Sequence, residues 1–240
     1  MKVLIVIPVY NEEKIIKNNI IFAYKFFQAS LSGYDWKILV ADNCSRDLTG
    51  SIVKGLLNEF PNLEYLYFDQ KGKGLAVLGA WQKYKDDFDI FAFMDADLST
   101  DLSSFLPLIQ AIENGFDLAI GSRYLKDSVV NRSALRKVIS WFYRKIAWII
   151  LGTRIKDLPC GFKAVNRKVV KEIVPKVKNT NFFFDTELIY LAEKENYKIK
   201  EITIKWHELR VGIDKSKVNI LRVSWLYLRE LLKLRSRKYF

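Results

Sequence analysis

Through its first half the chain alternates short apolar runs with longer amphipathic ones. Residues 3–9 read as a strand and 12–29 as a helix, then 37–41 as a strand and 49–59 as a helix. The alternation continues with a strand at 65–68, a helix at 74–85, a strand at 90–94, a helix at 102–114 and a strand at 118–120. Apolar runs of this length are near-continuous, as strands buried on both faces require, so the pattern predicts an α/β fold with a mostly parallel sheet covered by helices on both faces. Later, 132–151 reads as an amphipathic helix, 199–206 as a strand and 218–240 as a basic amphipathic helix, with 1–217 as one α/β domain that carries the 132–151 insertion.

Ligands of such sheets bind beyond the carboxyl ends of the strands. Four consecutive strand ends here carry polar clusters: Pro8-Val9-Tyr10-Asn11-Glu12, Ala41-Asp42-Asn43-Cys44-Ser45, Gln70-Lys71-Gly72-Lys73-Gly74 and Met94-Asp95-Ala96-Asp97-Leu98-Ser99. Two carboxylates one residue apart at the end of a buried strand suit a hard cation such as Mg²⁺ or Mn²⁺, which shares oxygen ligands with a substrate's phosphates. An ordinary Asp-rich turn has the same composition, and so does an ordinary turn around Gly72 and Gly74.

Charge sharpens the picture. Residues 1–120 hold 11 Lys/Arg against 16 Asp/Glu and residues 121–240 hold 28 against 11, leaving −5 on the first half and +17 on the second. The second half calls for an acidic partner: an anionic membrane, a phosphorylated substrate or a nucleic acid. Nucleic acid would leave the acidic strand ends without a purpose. His207 is the only histidine, so a His-based triad or a His-rich zinc site is hard to build. Cys44 and Cys160 cannot make a disulfide framework and read as reduced, filling thiols of a cytosolic chain. The first apolar run reads as a strand instead of a signal peptide, and the longest, 138–151, is interrupted by Arg144-Lys145 and falls short of the ~20 residues that span a bilayer. Within 132–151, Lys137, Ser140 and Arg144 share one helical face while Trp141, Phe142, Trp148 and Ile149 fill much of the remainder. A basic helix bearing tryptophan suits a membrane interface, and a helix packed on the sheet with one wet stripe is the competing arrangement.

Taken with their order, these motifs resemble those of the family 2 glycosyltransferases of GT-A fold, which share a Pro-x-Tyr-Asn-Glu start, an acidic second strand end and an Asp-x-Asp motif. The resemblance implies that Pro8, Tyr10, Glu12 and Asp42 hold the base and ribose, that Lys73 lies on the nucleotide, and that Asp95 and Asp97 hold the metal on the diphosphate. Asn43 departs from the second acidic position, and Ser99 stands where the mannose synthases resembling this chain carry a glutamine. Further on, Gly121-Ser122-Arg123-Tyr124, then Asp157-Leu158-Pro159-Cys160-Gly161-Phe162-Lys163-Ala164, then Phe184-Asp185-Thr186-Glu187-Leu188 resemble signatures of the dolichyl- and polyprenyl-phosphate glucose and mannose synthases. A final loop, from Trp206 to Lys217, resembles their Arg-x-Gly-x-Ser-Lys segment with a short insertion.

What this resemblance implies is an inverting transfer of glucose or mannose from UDP- or GDP-hexose to a polyprenyl or dolichyl phosphate, by a peripheral enzyme at the cytoplasmic face of the membrane. Arg123 would face phosphate, Arg136 and Ser140 would orient the acceptor, and Arg210, Ser216 and Lys217 would gather on phosphate. Asp157 or Asp185 would touch sugar hydroxyls, Gly161 would let backbone approach the sugar, and one of Asp185 and Glu187 would cap its helix. Two rivals stand beside it: a transferase of the same fold acting on a soluble or polysaccharide acceptor with Asp185 as base, and a noncatalytic membrane scaffold.

Overall fold

The computed structural model describes residues 1–131, 134–207 and 220–237, with side chains at all of these except 134–137 and 220–225. Its first half is the expected alternation. β1 (Lys2–Val9), β2 (Asp35–Asn43), β3 (Leu63–Phe68) and β4 (Ile90–Met94) are separated by α1 (Ile16–Ser30), α2 (Thr49–Leu56) and α3 (Lys73–Lys83). α4 (Phe105–Glu113) leads to β5 (Leu118–Ser122) and the short β6 (Val129–Asn131), and α5 (Ala134–Leu151) follows. The chain then forms β7 (Phe162–Asn166), α6 (Arg167–Glu172), α7 (Phe184–Lys194), β8 (Ile199–Thr203), β9 (Lys205–His207) and α8 (Ile220–Ser236).

Seven strands form one sheet in the order β3-β2-β1-β4-β7-β5-β8, and β6 pairs with β9 in a small second sheet. The Val, Ile and Leu side chains of β1, β2 and β4 are almost all buried, which the two-sided helix cover requires. The register sets Val9 beside Asp42 on β1 and β2 and Val6 beside Phe93 on β1 and β4, so the strands β1, β2 and β4 end side by side.

Three differences from the sequence expectation have physical reasons. β7 lies antiparallel between β4 and β5, with Met94 opposite Phe162, where the sequence offers a Pro-Cys-Gly turn and only five strand residues. The strand expected over 199–206 breaks at Ile204, whose N–H donates to Ser128 Oγ instead of continuing the ladder. The helix expected from residue 12 begins at Ile16, because the backbone of Glu12 is drawn to Thr49, donating to its Oγ1 at 2.8 Å.

α5 packs against the domain along one side only. Ala147 and Leu151 are buried against the domain, while Val138, Trp141, Phe142, Trp148 and Ile149 are exposed, with the Lys145 ammonium 5.9 Å from both tryptophan rings. α8 buries Leu231 and Leu234, and its Tyr227 ring meets those of Tyr143 and Phe183 edge-on. Among the described residues no helix is long and apolar enough to cross a membrane.

The start of α3 is wedged against the start of α7. A Cβ on Gly74 would fall 2.7 Å from Phe184 Cβ and 3.0 Å from the Asn179 carbonyl oxygen. Gly74→Ala should therefore destabilise the protein by about 1–3 kcal/mol, read as a lower denaturation midpoint at unchanged m-value; an unchanged midpoint would mean that this contact yields freely.

Candidate active site

The loops after β1 and β2 lace together. Asn11, at φ +53°, donates its N–H to Ser45 Oγ and accepts from the Arg46 N–H, and Glu13 accepts from the Leu48 N–H. Tyr10 lies beside them under the Lys71 ammonium, 4.6 Å from its ring centroid. Asp42 lies beneath, 1% exposed, accepting from the Ser45 N–H and from the Tyr65 hydroxyl at 2.7 Å. Burial, then this hydrogen bond, raises the Tyr65 pKa. In this arrangement Asp42 orders the Ser45 loop. Pro8 and Glu12 stand at the same edge, Pro8 opposite Ala41.

Asn43, the departure from the acidic pattern, serves the architecture of the site. Its Oδ1 accepts the Gly72 N–H at 2.5 Å and ties the end of β2 to the Gly-Lys-Gly loop. Gly72 cannot carry a side chain, since a Cβ would fall 2.4 Å from the Thr180 carbonyl oxygen. The loop thus held sends Lys73 inward, where Nζ donates to Asp95 Oδ1 at 2.6 Å and lies 5.4 Å from the Phe93 ring. Burial opposes this ammonium, but the carboxylates of Asp95, Asp185 and Asp97 outweigh it and hold the Lys73 pKa above the ordinary lysine value.

The Asp95–Asp97 turn is fixed from its far side. Asp95 N–H donates to the Gly161 carbonyl, and a Cβ on Gly161 would fall 2.0 Å from Asp95 Oδ2. The close approach that makes residue 161 a glycine is therefore to Asp95. Leu98 adopts φ +54°, Asp97 Oδ1 accepts the Ser99 N–H at 3.1 Å, and the buried Ser99 accepts the His207 N–H through its carbonyl. The donor set is carboxylate oxygen alone, and no group of three or more His, Cys, Asp or Glu side chains suited to a metal occurs among the described residues. Two carboxylates, with no third side-chain ligand among the described residues, fit a hard cation that completes its shell with phosphate oxygens and water.

Arg123, expected to face phosphate, and Asp157, expected with Asp185 as the alternative to touch sugar hydroxyls, face each other here: the Arg123 fork donates to both Asp157 oxygens at 2.8 and 2.7 Å, and its N–H donates at 2.9 Å. Asp157 is fully buried and Arg123 nearly so, and a planar guanidinium matched to a carboxylate satisfies each charge where water is largely excluded. Burial pushes the Asp157 pKa up, and the guanidinium overcomes it and holds it below the usual range. Asp185 and Glu187 open α7, but no side chain caps that helix. Asp185 Oδ1 accepts from Lys163 Nζ at 2.8 Å, whereas Glu187 accepts the Asn179 N–H and, at 3.0 Å, Arg237 Nη1. Burial raises the Asp185 pKa against the opposing pull of Lys163 and Lys73.

Lys163 was not among the expected site residues. It is fully buried on β7, donating also to the Cys160 carbonyl, and its ammonium lies 5.5 Å from the Phe93 ring that Lys73 also approaches. A lysine inside the run Phe162 to Val165 was the available signal, since a buried ammonium needs a carboxylate. Cys160 is a buried filler, as expected, and burial pushes its thiol pKa up. Ser140 is half-buried on α5; the side chain of Arg136, and Arg210, Ser216 and Lys217, lie outside the described residues.

A family model described as glycosyl transferase family 2 matches residues 4–174. The chain is 30% identical over 251 residues to a dolichyl-phosphate beta-glucosyltransferase of Saccharomyces cerevisiae, covering 92% of this chain and 74% of that one. It is 27% identical over 208 residues to glycosyltransferase AglD of Haloferax volcanii, covering 86% of this chain but only 33% of that protein. Among solved structures, glucosyl-3-phosphoglycerate synthase from Mycobacterium tuberculosis, in complex with Mn²⁺, UDP and phosphoglyceric acid, superposes with a TM-score of 0.70. That match covers 99% of this chain and 79% of the other at 16% identity, a likeness of fold. With well over half of its length matched by the family model and its strand-end motifs assembled at one edge of the sheet, the chain belongs to glycosyl transferase family 2.

Proposed function

We propose that the protein transfers a hexose, glucose by preference over mannose, with inversion from a nucleoside-diphosphate sugar to a polyprenyl or dolichyl phosphate at a membrane surface. The observation that carries this reading is the junction of α5 with α7. The Tyr143 hydroxyl on α5 lies 2.9 Å from Thr186 Oγ1, the residue after Asp185. A helix with exposed Trp141, Phe142, Trp148 and Ile149 is thereby joined to the carboxylate centre. That is the arrangement needed when one substrate is water-soluble and the other is anchored in lipid. The names of the relatives support the same acceptor: dolichyl-phosphate glucosyltransferases and a polyprenol monophosphomannose synthase recur among them.

Asp95 and Asp97 would hold Mg²⁺ or Mn²⁺, which when bound neutralises charge on the departing nucleoside diphosphate. Mn²⁺ and UDP in the complex of the similarly folded synthase support that assignment. Pro8, Tyr10, Glu12 and the Asp42-ordered loop would line the nucleoside, and Lys73 would serve the diphosphate together with Arg210, Ser216 and Lys217. Arg136 and Ser140 would orient the acceptor, whose phosphate is already an anionic nucleophile and needs no general base. Asp185 is poorly suited to be one, since it is buried and one of its oxygens is bonded to Lys163. The exposed face of α5, with Leu228 and Leu232 of α8, would lie in the interface of an anionic membrane at the cytoplasmic face.

Incubation with labelled UDP- and GDP-hexoses and polyprenyl phosphate should yield labelled product in the organic extract; no product from any donor would refute the lipid-acceptor claim. EDTA should abolish the product, added Mn²⁺ or Mg²⁺ should restore it, and Asp97→Asn should lower kcat by about 10²-fold or more. Gly161→Ala should cost about 10²-fold in kcat/KM, because Asp95 must move by roughly an ångström to admit the methyl group. Replacing Trp148 and Ile149 together by glutamate should cut partition onto anionic vesicles by about tenfold or more while leaving the denaturation midpoint nearly unchanged. Undiminished vesicle binding would assign membrane contact to another surface.

A further inference from the structure

Asp95 has one carboxylate oxygen against Gly161, where even a methyl group would collide, and the other within 2.6 Å of Lys73 Nζ. The backbone N–H of Asp95 is bonded to Gly161, and Lys73 is held by the Asn43 tie to Gly72, so neither partner is loosely placed. Lys73 is mostly enclosed and Asp95 half-open, so the ammonium approaches the carboxylate from the protein side. Carboxylates of Asp95, Asp97 and Asp185 surround two ammonium groups, Lys73 and Lys163; Lys163 is committed to Asp185 and the Cys160 carbonyl. Lys73 alone of the two ammonium groups is bonded to a residue of the Asp-x-Asp turn.

We infer that Lys73 is an exchangeable placeholder cation: it occupies the metal-binding oxygen of Asp95 until a nucleoside diphosphate offers it another anion, so that metal and nucleotide bind cooperatively. The inference rests on the proposed use of Asp95 as a metal ligand. Without nucleotide, a divalent cation must compete with an ammonium already bonded to its ligand, and binds weakly. When a diphosphate arrives, Lys73 transfers its hydrogen bond to a phosphate oxygen, Asp95 Oδ1 is released, and the same phosphates add ligands to the cation. Linkage makes the effect reciprocal, so the metal strengthens nucleotide binding by the factor by which nucleotide strengthens metal binding. The exchange keeps a sugar nucleotide from being gripped before its metal is present, and keeps the metal from being held without a substrate.

The test is Mn²⁺ binding to the full chain, followed by electron paramagnetic resonance of the free ion, with and without saturating UDP or GDP. For the unaltered protein, nucleotide should tighten Mn²⁺ binding by about tenfold or more. Lys73→Met keeps the stem on Phe93 but removes the ammonium, and should tighten nucleotide-free Mn²⁺ binding by about tenfold, with the nucleotide effect reduced by about the same factor and the remainder supplied by the phosphate ligands. Lys73→Gln should do the same, giving a second variant if one fails to fold, with thermal midpoints reporting folding. Lys71→Met removes a charge from the same loop without touching Asp95 and should change nucleotide-free Mn²⁺ binding by less than about twofold, which separates occupancy from a diffuse field. Unchanged or weakened nucleotide-free binding in the Lys73 variants, or an equal effect of Lys71→Met, overturns the inference while leaving the metal site intact. Absence of saturable Mn²⁺ binding in every protein, with and without nucleotide, overturns the metal assignment and this inference together; lipid-linked product in the transfer assay would still stand or fall by itself.

Discussion

β7 runs antiparallel between β4 and β5, and the turn before it brings the Gly161 carbonyl to the Asp95 N–H and the Gly161 Cα against the Asp95 carboxylate. Much of what the site can do depends on that contact. A carboxylate pair at a strand end is flexible by nature, and here one member is fixed by backbone on one side and by an ammonium on the other. The same turn supplies the Cys160 carbonyl to Lys163, so β7 both clamps the acidic turn and carries the cation beneath it.

Buried charge sets the second constraint. Lys163, Asp185, Asp157 and Glu187 are all buried, and each has an ionic partner close enough to bond: Lys163 with Asp185, Asp157 with Arg123, Glu187 with Arg237. Removing one member of such a pair leaves a charge without water or counterion, at a cost of about 3–5 kcal/mol. These pairs therefore specify geometry: a register slip in β7 by one residue would turn Lys163 to the opposite face and strand Asp185. Arg237 extends the same logic to the end of α8, joining it to the helix that carries Asp185.

The uneven charge of the chain acquires a meaning from this. Part of the acidity of the first half is collected at strand ends, where Lys73 answers Asp95, while Lys163 of the second half answers Asp185 of the same half. The second half keeps a large positive excess beyond those pairs, and adds an apolar, tryptophan-bearing face on α5. Anionic substrate on one side and anionic lipid on the other would draw on the same excess.

The amino-acid sequence by itself determined the α/β alternation, the strand 90–94 and its Asp-x-Asp turn, the grouping of four polar strand ends and the family. Each is local: an apolar run of strand length, a period of 3.6, or a motif whose spacing survives translation into structure. Tertiary structure alone decided where side chains with several possible partners would go. Arg123 and Asp157, 34 residues apart, each carry chemistry suited to a ligand, and only the fold brings them within reach of each other. Gly161 signals close approach in any sequence, but which group approaches it depends on β7 lying beside β4. Lys73 is placed on the nucleotide by the family resemblance; its bond to Asp95 depends on Asn43 holding Gly72, a contact across 29 residues. Charge pairing and close packing are long-range choices among chemically equivalent partners, and the sequence names the candidates while the sheet order selects among them.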